Sequence, residues 1–120
     1  MKRKWVNLNS MKKSNESVNL VDLHDTMHSF ISNLEVELGY EITVTSGYRS
    51  KDHPIESAKS RPGEHTTGLA IDVASVGGTN TYDLVSAAIK LGCKRIGINR
   101  NNNFVHLGLD SNRVTSIWHY

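Results

Sequence analysis

The chain is poor in cysteine, in proline and in long apolar runs, and each shortage removes a class of protein. Cys93 is the only cysteine among 120 residues, so no intramolecular disulfide forms and a cysteine-ligated zinc site is excluded. It reads as a small buried residue in or just after a helix. No segment is apolar for long enough to span a membrane. The basic start Met1-Lys2-Arg3-Lys4 runs into Trp5-Val6-Asn7-Leu8-Asn9-Ser10 and further lysines, not into the apolar stretch of a secretory signal. The expectation is therefore synthesis in a cytoplasm without a signal peptide. Charge is also close to balanced: 14 Lys and Arg against 12 Asp and Glu leave a formal net charge of +2. That is too little to argue for nucleic acid, and at most it favours approach to an anionic surface such as a cell wall.

What remains, 38% hydrophobic and 22% charged, fits one globular domain with a thin core, to which a bound metal would add stability. Residues 1–18 carry five Lys and Arg in the first thirteen positions and read as a loosely attached basic arm. The domain proper is expected over 19–120. Leu23, Met27, Phe30, Ile31, Leu34 and Leu38 form a helical stripe stopped by Gly39. Glu41 to Ser46 alternates as a strand. Residues 47–68 hold both prolines and no periodicity, which marks a long functional loop. Leu69 to Ala74 reads as a strand. A turn at Gly77 to Thr81 leads into a helix with Leu84, Val85, Ala88 and Ile89 inward. Arg95 to Ile98 and Phe104 to Leu109 read as two strands on a tight turn, and Val114 to Tyr120 as one more edge strand. This order predicts an α+β fold, a central antiparallel sheet with helices packed on one face.

Two of these strands share a design. Leu69, Ile71 and Val73 alternate with Ala70, Asp72 and Ala74, and Val105, Leu107 and Leu109 alternate with His106, Gly108 and Asp110. Each strand thus has one core face and one face where a metal-capable side chain sits among small neighbours. Paired side by side, they would bring Asp72 to His106, while Gly68 would let His65 fold back over the sheet. Two histidines and one aspartate are the ligand set of a catalytic zinc with a position open for water. The His-x6-Asp spacing alone is not specific, and any one such residue is more often a hydrogen-bonded surface group. His24 and His28, four apart on the first helix, are expected on its solvated face.

The blocks Ser46-Gly47-Tyr48-Arg49-Ser50, His53-Pro54-Ile55-Glu56, Pro62-Gly63-x-His65-x-x-Gly68-x-Ala70-x-Asp72-Val73 and Phe104-Val105-His106 occur in this order. Together they resemble the zinc D-alanyl-D-alanine carboxypeptidase family, which includes D-Ala-D-Ala dipeptidases and phage L-alanyl-D-glutamate endopeptidases. Ile117-Trp118-His119-Tyr120 resembles the end of its small phage and bacterial members. The resemblance runs from about residue 20 to the C-terminus. It implies a zinc site of His65, Asp72 and His106 on the sheet face opposite the helices, with Arg49 binding substrate and stabilising the oxyanion, and His53 lining the groove. It further implies hydrolysis of a peptidoglycan peptide, at D-Ala-D-Ala or within the stem, by a monomeric enzyme released from a host cytoplasm or carried with virion proteins, without nucleic-acid or membrane partners.

The sequence departs from that family in one respect. The general base commonly lies three residues before the last ligand as Glu, or two before it as His; here those positions are Asn103 and Phe104. Some small members carry Asp two residues after it, where this chain has Gly108. Asp110, on the site face of its strand, becomes the candidate base, and Glu64 is expected to point away from the site. The alternative function is a zinc-containing binding module, or a virion structural protein, on the same fold without hydrolysis.

Overall fold

The computed structural model describes residues 18–59 and 63–120. Within them the first apolar stripe folds as helix α1, Asp25–Leu38. His24 caps it, its Nδ1 accepting from the Thr26 N–H at 3.0 Å, which satisfies one of the free donors of the first turn. Met27, Phe30, Ile31 and Leu34 are buried, and so is His28. The sequence expectation holds for His24, which is exposed, but not for His28. Position 28 lies three before Ile31 and seven before the buried Glu35, so it belongs to the inward stripe. Of the basic arm assigned to residues 1–18, only Val18 lies within the described residues, and it is buried.

Five strands form one sheet: β1 (Val44–Ser46), β2 (Ala70–Ala74), β3 (Arg95–Asn99), β4 (Phe104–Gly108) and β5 (Ser116–His119), in the order β1-β2-β4-β3-β5. The long loop between β1 and β2 carries a short helix α2 (Pro54–Ser57) and a 3₁₀ turn (Glu64–Thr67), and helix α3 (Gly77–Lys90) joins β2 to β3. Four strands pair antiparallel as expected, whereas β5 runs parallel to β3. The sheet is therefore mixed. The cause is the connection: β4 ends beside the start of β3, with Gly108 opposite Arg95. The chain then passes over that end of β3 and enters β5 at Ser116, again opposite Arg95.

Ile71 and Val73 of β2, Val105 and Leu107 of β4 and Ile96 of β3 pack with α1 and with Leu84, Ala87 and Ala88 of α3 in one aliphatic core. On α3 the stripe is Thr81, Leu84 and Ala87–Ala88. Ile89, expected inward, lies one residue past that stripe and is exposed. Cys93 is buried beside the core, its thiol donating to the carbonyl of Gly108; burial pushes its pKa up, as suits an unreactive thiol.

Candidate metal centre

One row of residues crosses the opposite face of the sheet: Ser46, Asp72, His106, Gly97 and Trp118, each paired with the next across β1, β2, β4, β3 and β5. Because side chains alternate along a strand, the registry that buries Ile71, Val73, Val105 and Leu107 beneath the sheet necessarily lifts Asp72 and His106 above it. Gly97 gives the row its opening. A β-carbon there would overlap the Trp118 indole, which instead lies over Gly97 with its ring 5.3 Å from that of His106.

His65 enters from the 3₁₀ turn. That turn is fixed locally: the Thr66 hydroxyl donates to the Gly63 carbonyl at 2.7 Å and the Thr67 hydroxyl to the Glu64 carbonyl at 2.6 Å, a habit of threonine in turns. Gly68 closes it at φ 75°, a backbone that glycine adopts without strain. Its carbonyl then accepts from the His24 N–H at 2.9 Å, tying the turn to the start of α1. The two consecutive residues Glu64 and His65 are both buried.

The hydrogen bonds at the outer edges of the two imidazoles decide what faces the centre. His65 Nδ1 lies 2.8 Å from the Gly47 carbonyl, which can only accept, so Nδ1 carries the proton and the Nε2 lone pair points at Asp72 Oδ1, 3.3 Å away. His106 Nε2 lies 2.9 Å from Glu64 Oε1, so its Nδ1 lone pair points at the same Asp72 oxygen from 3.1 Å. Three acceptors thus converge on one point, an arrangement that needs either protons or a cation between them. Their ligand atoms all lie within 4.8 Å of one another. Bonds of about 2.0–2.2 Å to a tetrahedral zinc would separate ligand atoms by about 3.3–3.5 Å, close to the 3.3 and 3.1 Å between Asp72 Oδ1 and the two imidazole nitrogens. The donor set therefore fits a zinc ion.

The electrostatics agree. With protons rather than a cation between these groups, burial raises the Asp72 pKa, but hydrogen bonding with His106 and His65 outweighs it and holds the carboxyl well below the usual range. Burial disfavours charge on His106, yet Asp72 and Glu64 together raise its pKa above that of a free imidazole. The site is therefore built to concentrate positive charge among carboxylates.

Arg49 lies in the cleft wall beside this group. Its Nε is 3.0 Å from Glu56 Oε2, and the Glu56 side chain is fully buried. Glu56 also accepts from the Gly63 N–H at 2.8 Å and pairs with Lys59 at 3.2 Å, so one carboxylate fastens both ends of the loop segment and orients the guanidinium. Burial works against its charge, but the Gly63 and Lys59 hydrogen bonds hold its pKa below the ordinary value. His53 lines the cleft as well and caps α2, its Nδ1 accepting from the Ile55 N–H at 3.1 Å.

The carboxylates around the centre are distributed differently from the sequence expectation. Asp110 directs its carboxylate to Arg113 Nε at 3.0 Å and to the Asn112 N–H at 3.0 Å. It borders a separate hollow, and it meets the cleft through Arg113 and through its own N–H, 3.1 Å from Glu64 Oε2. Glu64 does not point away. It is buried and accepts from His106, from Arg95 Nε at 2.9 Å and from that N–H; these bonds outweigh burial and keep its pKa low. Asn103 has φ 58° in the β3–β4 turn, a conformation asparagine tolerates. Its carbonyl accepts from the Ser75 N–H at 2.8 Å, and its side chain is exposed.

The cleft measures about 610 Å³. Arg95, Arg113, Trp118 and Tyr120 also line it; the sequence pointed to Trp118 and Tyr120 only as part of the closing Ile117-Trp118-His119-Tyr120, and to Arg95 and Arg113 not at all. Arg95 stacks 5.2 Å from the Trp118 ring centre, and Tyr120 meets Phe104 edge to face at 5.3 Å. The alternation Arg95-Ile96-Gly97-Ile98-Asn99 held the signal for Arg95, since it puts a cation on the same face as Gly97.

Comparison with known proteins adds two findings. A family model described as Peptidase M15 matches residues 5–108, a span that contains all three converging side chains. No curated protein matches the chain.

Proposed function

The chain belongs to the peptidase M15 family, a family of metal-dependent peptidases of the zinc D-Ala-D-Ala carboxypeptidase type, and from this we propose that it hydrolyses amide bonds in peptidoglycan peptides with a zinc ion held by His65, Asp72 and His106. The observation that carries the proposal is the convergence of three lone-pair donors on one point in the cleft floor. Zinc bound there would supply Lewis acidity to the scissile carbonyl and to the attacking water.

The chain's own residues divide the remaining work. Gly47 and Glu64 fix the two imidazoles by their outer nitrogens. Arg49, held by Glu56, presents a permanently charged planar donor to a peptide carboxylate or to the oxyanion that develops at the carbonyl. Trp118 closes the far side of the cleft against His106 and helps keep bulk water from it. Arg49, Lys59, Arg95 and Arg113 all border the cleft, which favours an anionic peptide such as one bearing free carboxylates. Asp110 remains the sequence candidate for the proton acceptor; against it, its carboxylate pairs with Arg113, and it is its backbone N–H that reaches the cleft, on Glu64.

We place the work of this protein at the cell wall, reached by release from a host cytoplasm or with a virion. A second reading, a zinc-containing binding module, gains support from one feature: among the described residues lining the cleft, the carboxylates are Glu64 and Asp72, the first held by His106 and Arg95 and the second facing the two histidines. Incubation of the purified protein with peptidoglycan, followed by mass spectrometry of the soluble products, separates the readings. The peptidase releases D-alanine or stem fragments, and a chelator stops it. Binding without any product, in the presence of added zinc, sinks the peptidase and keeps the module.

A further inference from the structure

Glu64 and Gly108 occupy one volume. A β-carbon built on Gly108 would fall against both carboxylate oxygens of Glu64, about as close as the β-carbon of an aspartate lies to its own oxygens. Gly108 sits two residues beyond His106 on the same face of β4, so a side chain there and an inward Glu64 exclude each other. Glu64 reaches over from the 3₁₀ turn and fills the place that an acidic side chain on β4 would take.

From this we infer that Glu64 is the positioning residue of the metal centre: it fixes His106 with Nε2 protonated and Nδ1 turned to the ion, and Gly108 is glycine to admit it. The inference rests on the reading of His106 as a ligand. A ligating histidine whose second nitrogen donates to a carboxylate is held in one tautomer and one ring orientation, and such outer partners typically carry about 10–100-fold in metal affinity. His106 has this partner on its edge, 2.9 Å away. Glu64 is itself held from two further directions, by Arg95 Nε at 2.9 Å and the Asp110 N–H at 3.1 Å. Arg95 in turn is fixed by the Val114 carbonyl and the Trp118 ring. The chain therefore runs from the C-terminal strand through Arg95 and Glu64 to the nitrogen of His106 that faces away from the ion. With Arg95 and an N–H already on its oxygens, Glu64 acts through His106 and not on the substrate.

The test measures zinc affinity of the metal-free protein by competition with a chromophoric chelator. Nitrogen-15 spectra of the histidine rings, taken at one fixed pH, accompany it. In the wild type, His106 is expected to be protonated on Nε2 and metal-bound through Nδ1. Glu64→Ala should weaken zinc binding by about 10–100-fold and lose the single-tautomer signature. Glu64→Gln, which keeps the shape and fold but not the charge, should fall between. Glu64→Ala/Gly108→Asp should recover much of the affinity and the Nε2-protonated signature, because the aspartate enters the vacated volume. Gly108→Asp alone, with two carboxylates in one place, should bind zinc worse than the double variant. Wild-type affinity and tautomer in both Glu64 variants would overturn the inference while leaving the metal site intact. A double variant no better than Glu64→Ala would overturn the shared volume of positions 64 and 108. A wild type that binds no zinc would overturn the metal site itself, and the inference with it.

Discussion

His106 and Leu107 are neighbours in β4 and share one backbone, yet they belong to two surfaces with opposite requirements. Leu107 is fully buried among Ile71, Ile96 and the helices, where what matters is filled volume and absence of polar atoms. His106 is nearly as buried, at 6% exposure, but its surroundings are Asp72, Glu64, His65 and Trp118. One face of the sheet gains stability by packing. The other gathers three acceptors around a point, a configuration that is unfavourable until protons or a cation fill it. The two faces teach that burial alone does not identify a core residue; the partners do.

Substituting the neighbours in turn tests this contrast, and the effects should be the largest in the molecule. His106→Ala should abolish zinc retention and hydrolysis while leaving the metal-free protein folded in urea titrations. Leu107→Ala should lower the stability of that same form by about 2–5 kcal/mol through lost burial and a cavity, with zinc still bound by the folded fraction. Equal loss of stability in the two variants would erase the distinction between the faces.

Arg49→Lys comes next. It keeps the charge but loses the planar fork, and turnover should fall by roughly 10²–10³ with zinc content unchanged. Turnover at the wild-type level would return Arg49 to a loop anchor paired with Glu56. Gly97→Ala should cost about 1–3 kcal/mol, because the added methyl meets the Trp118 ring and either must shift. The smallest effect is expected for Asp110→Asn. Its carboxylate belongs to Arg113 and Asn112, so turnover should drop far less than the about 10²–10⁴ that removal of a general base brings. A drop of that size would restore Asp110 as the base and show that it turns into the cleft during reaction.

Much of the site was legible because strand periodicity is simple. Alternation in β2 and β4, with pairing of the two, suffices to set Asp72 opposite His106, and the observed register does so. The Gly68 turn that folds His65 back was legible too, since its left-handed φ asks for glycine. Glu64 was not. Its direction depends on the missing side chain at Gly108, which lies 44 positions along the chain and matters only once the turn is laid over β4. The parallel direction of β5 was hidden for a similar reason: the apolar pattern of Ser116 to His119 does not say which end of β3 the chain crosses. Trp118 depended on that direction, since its place over Gly97 follows from β5 pairing with β3.

The most direct test of the account is zinc stoichiometry, measured by elemental analysis on protein purified without chelator and dialysed against metal-free buffer. About one zinc per chain in the wild type, and almost none in His65→Ala/His106→Ala, is the expected result. Equal zinc in the two proteins would contradict the site at which the whole account converges.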